Sequence, residues 1–468
     1  MQNAQRSDKR ERPGFAEEAM GLGMFSRKSL ASKYWNGYTE TMPRERLDAL
    51  HLRRVRKLLA YAYERVPFYR QLYDKAGFTP DDIRSLDDFN AIVPVIDKKD
   101  LVEAQQANPP WGDAAALGDD STLYRFQTSG STGVPMAIPV SYYSSHHYGE
   151  QWVYGFWAVG LRPRDSFYFA FNWGAFAGFW SAYWGVRRLG GSVYSGGGLN
   201  TEMRLKQIVE LKPTVLLCTP TYALAMAEKA KALGIDLPKT SVKVTYHAGE
   251  PGGNVPTTRR AIEEAWGATA YEQYGLAEVG AIAWGCPLQR GVHLTEDQTH
   301  ATVVNPETGR AVGEGEVGEN LVTSYIQFSQ PIIKYRTHDL VRLVRTPCDC
   351  GRSWILFEGG VLGRTDHMII IKGTNVYPTA VETLLGEVRG LTPHYELHAV
   401  RGETGDALTV KVEAEPGSPA DRYGELKRRA EQLLYERILV HIAVEIRSPG
   451  TLPRYELKAK RFFDHRER

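Results

Sequence analysis

No run in the 468-residue chain approaches the ~18 consecutive apolar residues that a membrane-spanning helix needs, so no membrane span is expected. The opening residues, Met1 to Arg12, are polar and charged and lack the apolar core of a signal peptide. Residues 1–32 therefore read as a mobile leader and the compartment as cytoplasmic. Neither sign of charge is in excess: 57 Lys plus Arg stand against 55 Asp plus Glu, which leaves no broad basic field for nucleic acid and favours a small ligand. Cysteine is rare. Four in the whole chain make no disulfide framework, and Cys348 and Cys350 are one residue apart, too close for an ordinary disulfide, so a metal becomes a candidate. Internal repeats and long Gly/Ser linkers are lacking too. With 43 % hydrophobic and 24 % charged residues, the composition is that of a globular chain of two to four units at ~150 residues each.

What the sequence does have is a polar stretch at 128–135, Thr-Ser-Gly-Ser-Thr-Gly-Val-Pro. Glycine lets a backbone turn and bring its N–H groups close to an oxyanion, and Ser129, Ser131 and Thr132 add hydroxyl donors beside Gly130 and Gly133. The lysine of a Walker loop is missing, so that particular phosphate clamp is not assumed. The same composition also describes a polar surface turn, and the rest of the chain has to decide.

Pro43 can open a helix whose Leu47, Leu50, Val55, Leu58, Leu59 and Ala62 recur at helical spacing, with Arg53, Arg54 and Arg56 as its solvated side. From Ser166 the pattern alternates. Segments 166–171, 214–218, 242–246 and 268–274 read as short buried strands, and 175–189, 220–233 and 256–266 as crossover helices, which predicts an α/β fold of doubly wound, mostly parallel sheets. In such sheets ligands collect at the carboxyl ends of strands, where His247-Ala-Gly-Glu-Pro-Gly-Gly253 and Gln273-Tyr-Gly-Leu-Ala-Glu278 fall. The character changes at Leu362-Gly-Arg-Thr-Asp-His367. Apolar runs at 368–371, 395–400, 408–412 and 440–446, with a helix near 420–437, describe a small C-terminal α+β unit. The expected domains are 33–362 and 363–468.

Set in order, the 128–135 segment, Ala248-Gly-Glu250, Tyr274-Gly-Leu-Ala-Glu278, Tyr335-Arg-Thr-His-Asp339, Gly363-Arg-Thr-Asp366, Lys372-Gly-Thr-Asn-Val-Tyr-Pro378 and Leu452-Pro-Arg-Tyr-Glu-Leu-Lys458 resemble the motif series of the adenylate-forming enzymes. Tyr34-Trp-Asn, Glu64-Arg-Val-Pro-Phe-Tyr69 and Asp82-Ile-Arg-Ser-Leu86 resemble the phenylacetate–coenzyme A ligase branch of that superfamily. The resemblance implies attack of a carboxylate on the α-phosphorus of ATP, giving an acyl-adenylate and pyrophosphate, then acyl transfer to a thiol. It implies a small C-terminal domain that rotates between the two steps.

Roles follow from the same resemblance. Thr128, Ser129, Gly130, Ser131, Thr132 and Gly133 would face the departing phosphates, where negative charge grows. Glu278 would hold Mg²⁺, a task for a hard carboxylate oxygen, and Asp339 both ribose hydroxyls. Ala248, Gly249 and Glu250 would lie along the adenine beside Tyr274. Arg364 would stand near the nucleotide, Asp366 would be the hinge, and Gly373 would line the thiol's tunnel. Lys458 would bring positive charge to the bond between carboxylate and phosphorus, with Lys460 two residues on as the rival register. Trp173, Phe176, Tyr274 and Gly275 would form a flat slot for an aryl acid. Where the family commonly has glycine before the ribose aspartate, this chain has His338.

Cys286, His293, Cys348 and Cys350 offer three thiolates and an imidazole, a donor set for tetrahedral structural Zn²⁺, and some members of the branch carry a similar set. The implied partners are a small-molecule carboxylic acid, ATP and coenzyme A, with a homodimer left open. Two rival readings remain: transfer to a carrier protein or an amine, for which His338 leaves room, and a nucleotide-binding protein without catalysis. The joint presence of Glu278, Asp339 and Lys458 argues against the second.

Overall fold

The computed structural model describes residues 30–116, 122–128, 135–367, 369–371, 374–402, 405–455 and 460–466. Of the expected leader, only residues 30–32 fall among them. The first long helix, Arg44–Arg65, starts directly after Pro43 and buries Leu47, Val55, Leu58, Leu59 and Ala62. Arg53 and Arg56 face solvent as expected, whereas Arg54 is half-buried, its guanidinium 5.7 Å from the centre of the Tyr325 ring.

One eleven-stranded sheet dominates. Its first half is parallel, in the order Ser192–Ser195, Ser166–Phe169, Val215–Cys218, Val244–Ala248 and Thr269–Leu276. Helices cover both faces, and alternate strand residues divide between them. Phe167, Phe169, Val215 and Leu217 pack with the helices Tyr142–Ala158 and Ala177–Leu189, while Tyr168, Leu216 and Cys218 pack with Thr201–Leu211, Pro220–Ala232 and Pro256–Trp266. This period of two, buried on both sides, is the doubly wound arrangement expected of the α/β class.

At Leu276 the sheet changes hands. Gly280–Gly285 returns antiparallel beside Thr269–Leu276, and Gly291–Leu294, Leu356–Arg364, Tyr335–Val344, Val317–Ser324 and Thr299–Val304 follow, each antiparallel to its neighbour. Gly280–Gly285 and Gly291–Leu294 fold back through short turns, whereas Thr299–Val304 lies at the far edge and Leu356–Arg364 returns to pair with Gly291–Leu294. A separate hairpin, Thr122–Gln127 against Ala137–Ser141, carries the 128–135 segment as its connection.

Beyond residue 368 a second sheet, ordered Ile442–Arg447, Gly405–Ala414, Leu391–Gly402 and Phe462–Asp464, packs with the helices Pro378–Gly386 and Tyr423–Ile438. Its buried residues, from Ile369 to Val444, form a hydrophobic cluster of their own. Among the described residues no helix is long and apolar enough to cross a membrane.

Candidate active site

The carboxyl end of Thr269–Leu276 gathers the buried carboxylates. Tyr274 Oη donates to Asp339 Oδ2 at 2.8 Å, and Asn320 Nδ2 donates to the Tyr274 oxygen at 3.3 Å. Asp339 Oδ1 accepts from Arg364 at 2.7 Å. The same guanidinium grips Asp366 with its other two nitrogens, at 2.8 and 2.7 Å, so one cation joins the Asp339 strand to the turn Thr365–His367. Burial pushes the Asp339 carboxyl up, and Arg364 and Tyr274 pull against it.

Glu278 sits in the tight connection between Thr269–Leu276 and Gly280–Gly285. It is buried, its Oε1 accepts from Tyr335 Oη at 3.1 Å, and its own carbonyl accepts from Tyr148 Oη at 3.2 Å. Gly275 is required by this turn. A Cβ there would lie 2.4 Å from the Gly280 carbonyl oxygen, so the space the missing side chain leaves is filled by the neighbouring strand.

Ala248 ends Val244–Ala248, and Gly249 turns the chain with φ +96°, a conformation that favours glycine. Glu250 Oε1 then accepts from the Thr221 amide at 3.0 Å, tying this loop to the start of Pro220–Ala232. Thr128 staples the neck of the 128–135 segment: its amide donates to the Met136 carbonyl and its hydroxyl accepts from the Met136 amide, both at 3.0 Å. Ser129, Gly130, Ser131, Thr132, Gly133, Gly373 and Lys458 lie outside the described residues.

Trp173 and Phe176 belong to an aromatic cluster. Trp173 Nε1 donates to Ser195 Oγ at 2.8 Å, and its ring lies 5.7 Å from each of Phe171, Trp180 and Tyr183. Phe176 stands at the rim, 36 % exposed.

His338 adopts φ +62°, the left-handed conformation that glycine takes without strain. The side chain adds contacts in return: Nε2 lies 3.1 Å from Asp97 Oδ2, Nδ1 lies 3.1 Å from Thr365 Oγ1, and the amide donates to Glu319 Oε1 at 3.1 Å. The hydrogen bond to Asp97 raises the imidazole pKa and lowers that of the aspartate.

Tyr335, Asn320, Asp97 and Glu319 were not singled out by the sequence. Tyr335 opens a recognisable motif, so its place near the site was legible although its partner was not. Asp97 is 241 positions from His338 and carries no local signal.

Cys286, His293, Cys348 and Cys350 converge, with one ligand atom from each within 4.8 Å of the others. His293 Nδ1 lies 3.2 Å from the Trp354 carbonyl, which can only accept and so holds Nδ1 as a donor, and Nε2 faces Cys350 Sγ at 3.4 Å. Soft thiolates and one neutral imidazole within that span fit tetrahedral Zn²⁺, whose bonds run ~2.0–2.3 Å. The neighbouring Arg352 binds buried Glu40 and the Lys33 carbonyl, so the cluster adjoins the N-terminal segment.

The sequence and fold agree with a known family. Residues 49–329 match the AMP-binding enzyme family and residues 373–466 the AMP-binding enzyme C-terminal domain, and the chain belongs to this family of adenylate-forming enzymes. Within it, the chain is similar to the phenylacetate-coenzyme A ligase of Thermus thermophilus, at 33 % identity over 92 % of this chain and 98 % of the relative. It is also similar to 2-hydroxyisobutyryl-CoA ligase solved in the postadenylation state with 2-HIB-AMP, at 29 % identity, a TM-score of 0.88 and 93 % coverage of both chains. Against that enzyme in the thioesterification state with 2-HIB-AMP and CoA, the TM-score falls to 0.70 at 30 % identity and the same coverage. The arrangement of this chain is therefore nearer the postadenylation one.

Proposed function

We propose that this chain is an ATP-dependent acid–thiol ligase that converts an aromatic carboxylic acid to its acyl-adenylate and then to a coenzyme A thioester. The observation that carries the reading is the pair of buried, tyrosine-held carboxylates, Glu278 and Asp339, at the end of the last parallel strand. In the first step a carboxylate oxygen bonds to the α-phosphorus as the bond to the bridging oxygen breaks and pyrophosphate leaves. In the second, sulfur bonds to the acyl carbon, AMP departs with the electron pair, and the thiol proton passes to solvent. Domain 33–362 supplies the nucleotide and acid sites, and domain 363–468 supplies Lys458 and turns at Asp366.

Asp339 retains lone pairs beyond those that Tyr274 and Arg364 occupy, enough to accept both ribose hydroxyls. Glu278 would hold Mg²⁺, which when bound neutralises phosphate charge as pyrophosphate leaves. Gly249 and its neighbours Ala248 and Glu250 line the adenine, and residues 128–133 receive the phosphates. The aromatic cluster around Trp173 and Phe176 supports an aryl acid, for which Tyr274 and Gly275 would complete the slot, as does the name of the Thermus relative.

The test is exchange of labelled pyrophosphate into ATP over a panel that includes phenylacetate, substituted benzoates and 2-hydroxyisobutyrate. Exchange is expected with an aryl acid and Mg²⁺ only. A response confined to the small hydroxy acid would sink the aromatic assignment, and silence across the panel the ligase reading itself. Replacing coenzyme A by a carrier protein or hydroxylamine then identifies the acceptor.

The cysteine cluster supports a structural zinc in the same chain. Purified protein is expected to carry about one zinc per chain. Cys348→Ser is expected to weaken zinc by more than the ~10–100-fold that loss of an outer partner costs, and to lower the melting temperature, while exchange per folded molecule stays near wild type. Metal analysis showing none in freshly purified protein would rule the site out.

A further inference from the structure

The C-terminal unit docks on the helix Pro220–Ala232 at two points, one at its start and one two turns on. At the start, Arg461 donates to Thr221 Oγ1 at 3.2 Å, beside the Thr221 amide that holds Glu250. Two turns on, Glu228 receives two groups of the C-terminal unit, His394 Nε2 at 2.6 Å and Arg454 Nε at 2.7 Å. Arg454 is itself gripped by buried Glu413, at 3.0 and 2.8 Å, and the amides of Gly450 and Leu452 donate to the same carboxylate at 3.0 and 2.6 Å. Glu413 thus gathers residues 450–454 into one body, and Glu228 fastens that body to the large unit four residues before Lys458. Burial pushes the Glu228 carboxyl up, but His394 and Arg454 outweigh it and bring the pKa down to about 2, so the group is ionised at neutral pH.

We propose that Glu228 is a positioning residue for adenylation: a latch that holds the segment leading to Lys458 in the acid-activating orientation and lets go before the thiol can enter. The inference rests on the ligase reading given above. Both partners of Glu228 lie beyond the turn Thr365–His367, whereas Glu228 lies before it, so a rotation at that turn that swings the C-terminal unit off the helix parts them. The side chain of Glu228 is 46 % exposed, and a single exposed ion pair is weak. The Arg454 guanidinium and the His394 imidazole on one carboxylate suffice to bias a two-state equilibrium yet release quickly. Opening leaves Arg454 a partner, because it keeps Glu413.

The experiment measures three quantities on Glu228→Gln: pyrophosphate exchange, transfer of a supplied acyl-adenylate to coenzyme A, and melting temperature. Exchange is expected to fall by about 3–10-fold, the range set by one or two exposed ion pairs, with transfer equal to or faster than wild type and melting unchanged. His394→Gln, which removes one partner from the other side, should move the ratio of the two half-reactions in the same direction. An unchanged ratio in an active protein, or an equal fall in both half-reactions, overturns the latch. A wild-type chain inert in both assays overturns the ligase reading beneath it instead.

Discussion

Lys458→Ala is expected to slow pyrophosphate exchange by ~10²–10³ while transfer of a supplied acyl-adenylate to coenzyme A stays near wild type. Only the first step builds negative charge between a carboxylate and a five-coordinate phosphorus. A preorganised ammonium there stabilises that charge without reorganising solvent at the moment of reaction, whereas thiol attack on the acyl carbon develops its charge elsewhere. Lys460 is the natural control. Its ammonium lies 4.9 Å from the centre of the Phe463 ring, a partner within its own unit. Lys460→Ala should therefore leave exchange within about twofold of wild type, the scale of one exposed cation–π contact. If the two variants trade effects, the functional lysine is Lys460.

The second large effect is expected from Asp366→Pro, which should retain exchange and lose at least ~10-fold, one kcal/mol-scale barrier, in thioester formation. Asp366 lies in the 3₁₀ turn Thr365–His367, and such turns have φ of about −50 to −70°, which proline adopts. A ring that fits this arrangement and resists another should hold the chain in the orientation nearer the postadenylation relative. The substitution also removes the carboxylate that Arg364 grips with two nitrogens, so Asp366→Ala separates the two effects. Alanine should restore thioester formation if backbone freedom is what matters. Equal loss of both half-reactions in the proline variant, at an unchanged melting temperature, would show that the chain does not turn at Asp366.

How far the sequence could be read depended on how local each signal was. The helix Pro256–Trp266 has the bounds its sequence predicts, because Pro256 opens it and Gly267, at φ +62°, closes it. Four of the parallel strands were legible because both their faces are apolar, whereas the edge strand Ser192–Ser195, exposed or half-buried throughout, was not. The antiparallel half was not, since its neighbours are set by pairings such as Leu356–Arg364 against Gly291–Leu294, which no local pattern encodes. The hairpin around residues 128–135 was missed because that stretch was read for its chemistry alone. At the site, Asp339, Tyr274 and Glu278 stood out as motif residues. The bonds of Tyr274 to Asp339 and of Tyr335 to Glu278, and the Arg454 bond to Glu228 across 226 positions, depend on the fold. The cysteine cluster was legible because cysteine is rare and its members fall in two close pairs, Cys286 with His293 and Cys348 with Cys350.

The order of strands also bears on how the protein is made. Leu356–Arg364 inserts between Gly291–Leu294 and Tyr335–Val344, so the antiparallel half has no finished edge until residue 364 has left the ribosome. Gly291–Leu294, paired with Gly280–Gly285 on one side, waits for its other neighbour through about 70 more residues, on the order of ten seconds at ordinary translation rates. The last strand to arrive carries Arg364, which joins Asp339 to Asp366. The nascent chain thus acquires the Arg364 bridge between Asp339 and Asp366 in a single late event, and a product released before that point would lack it.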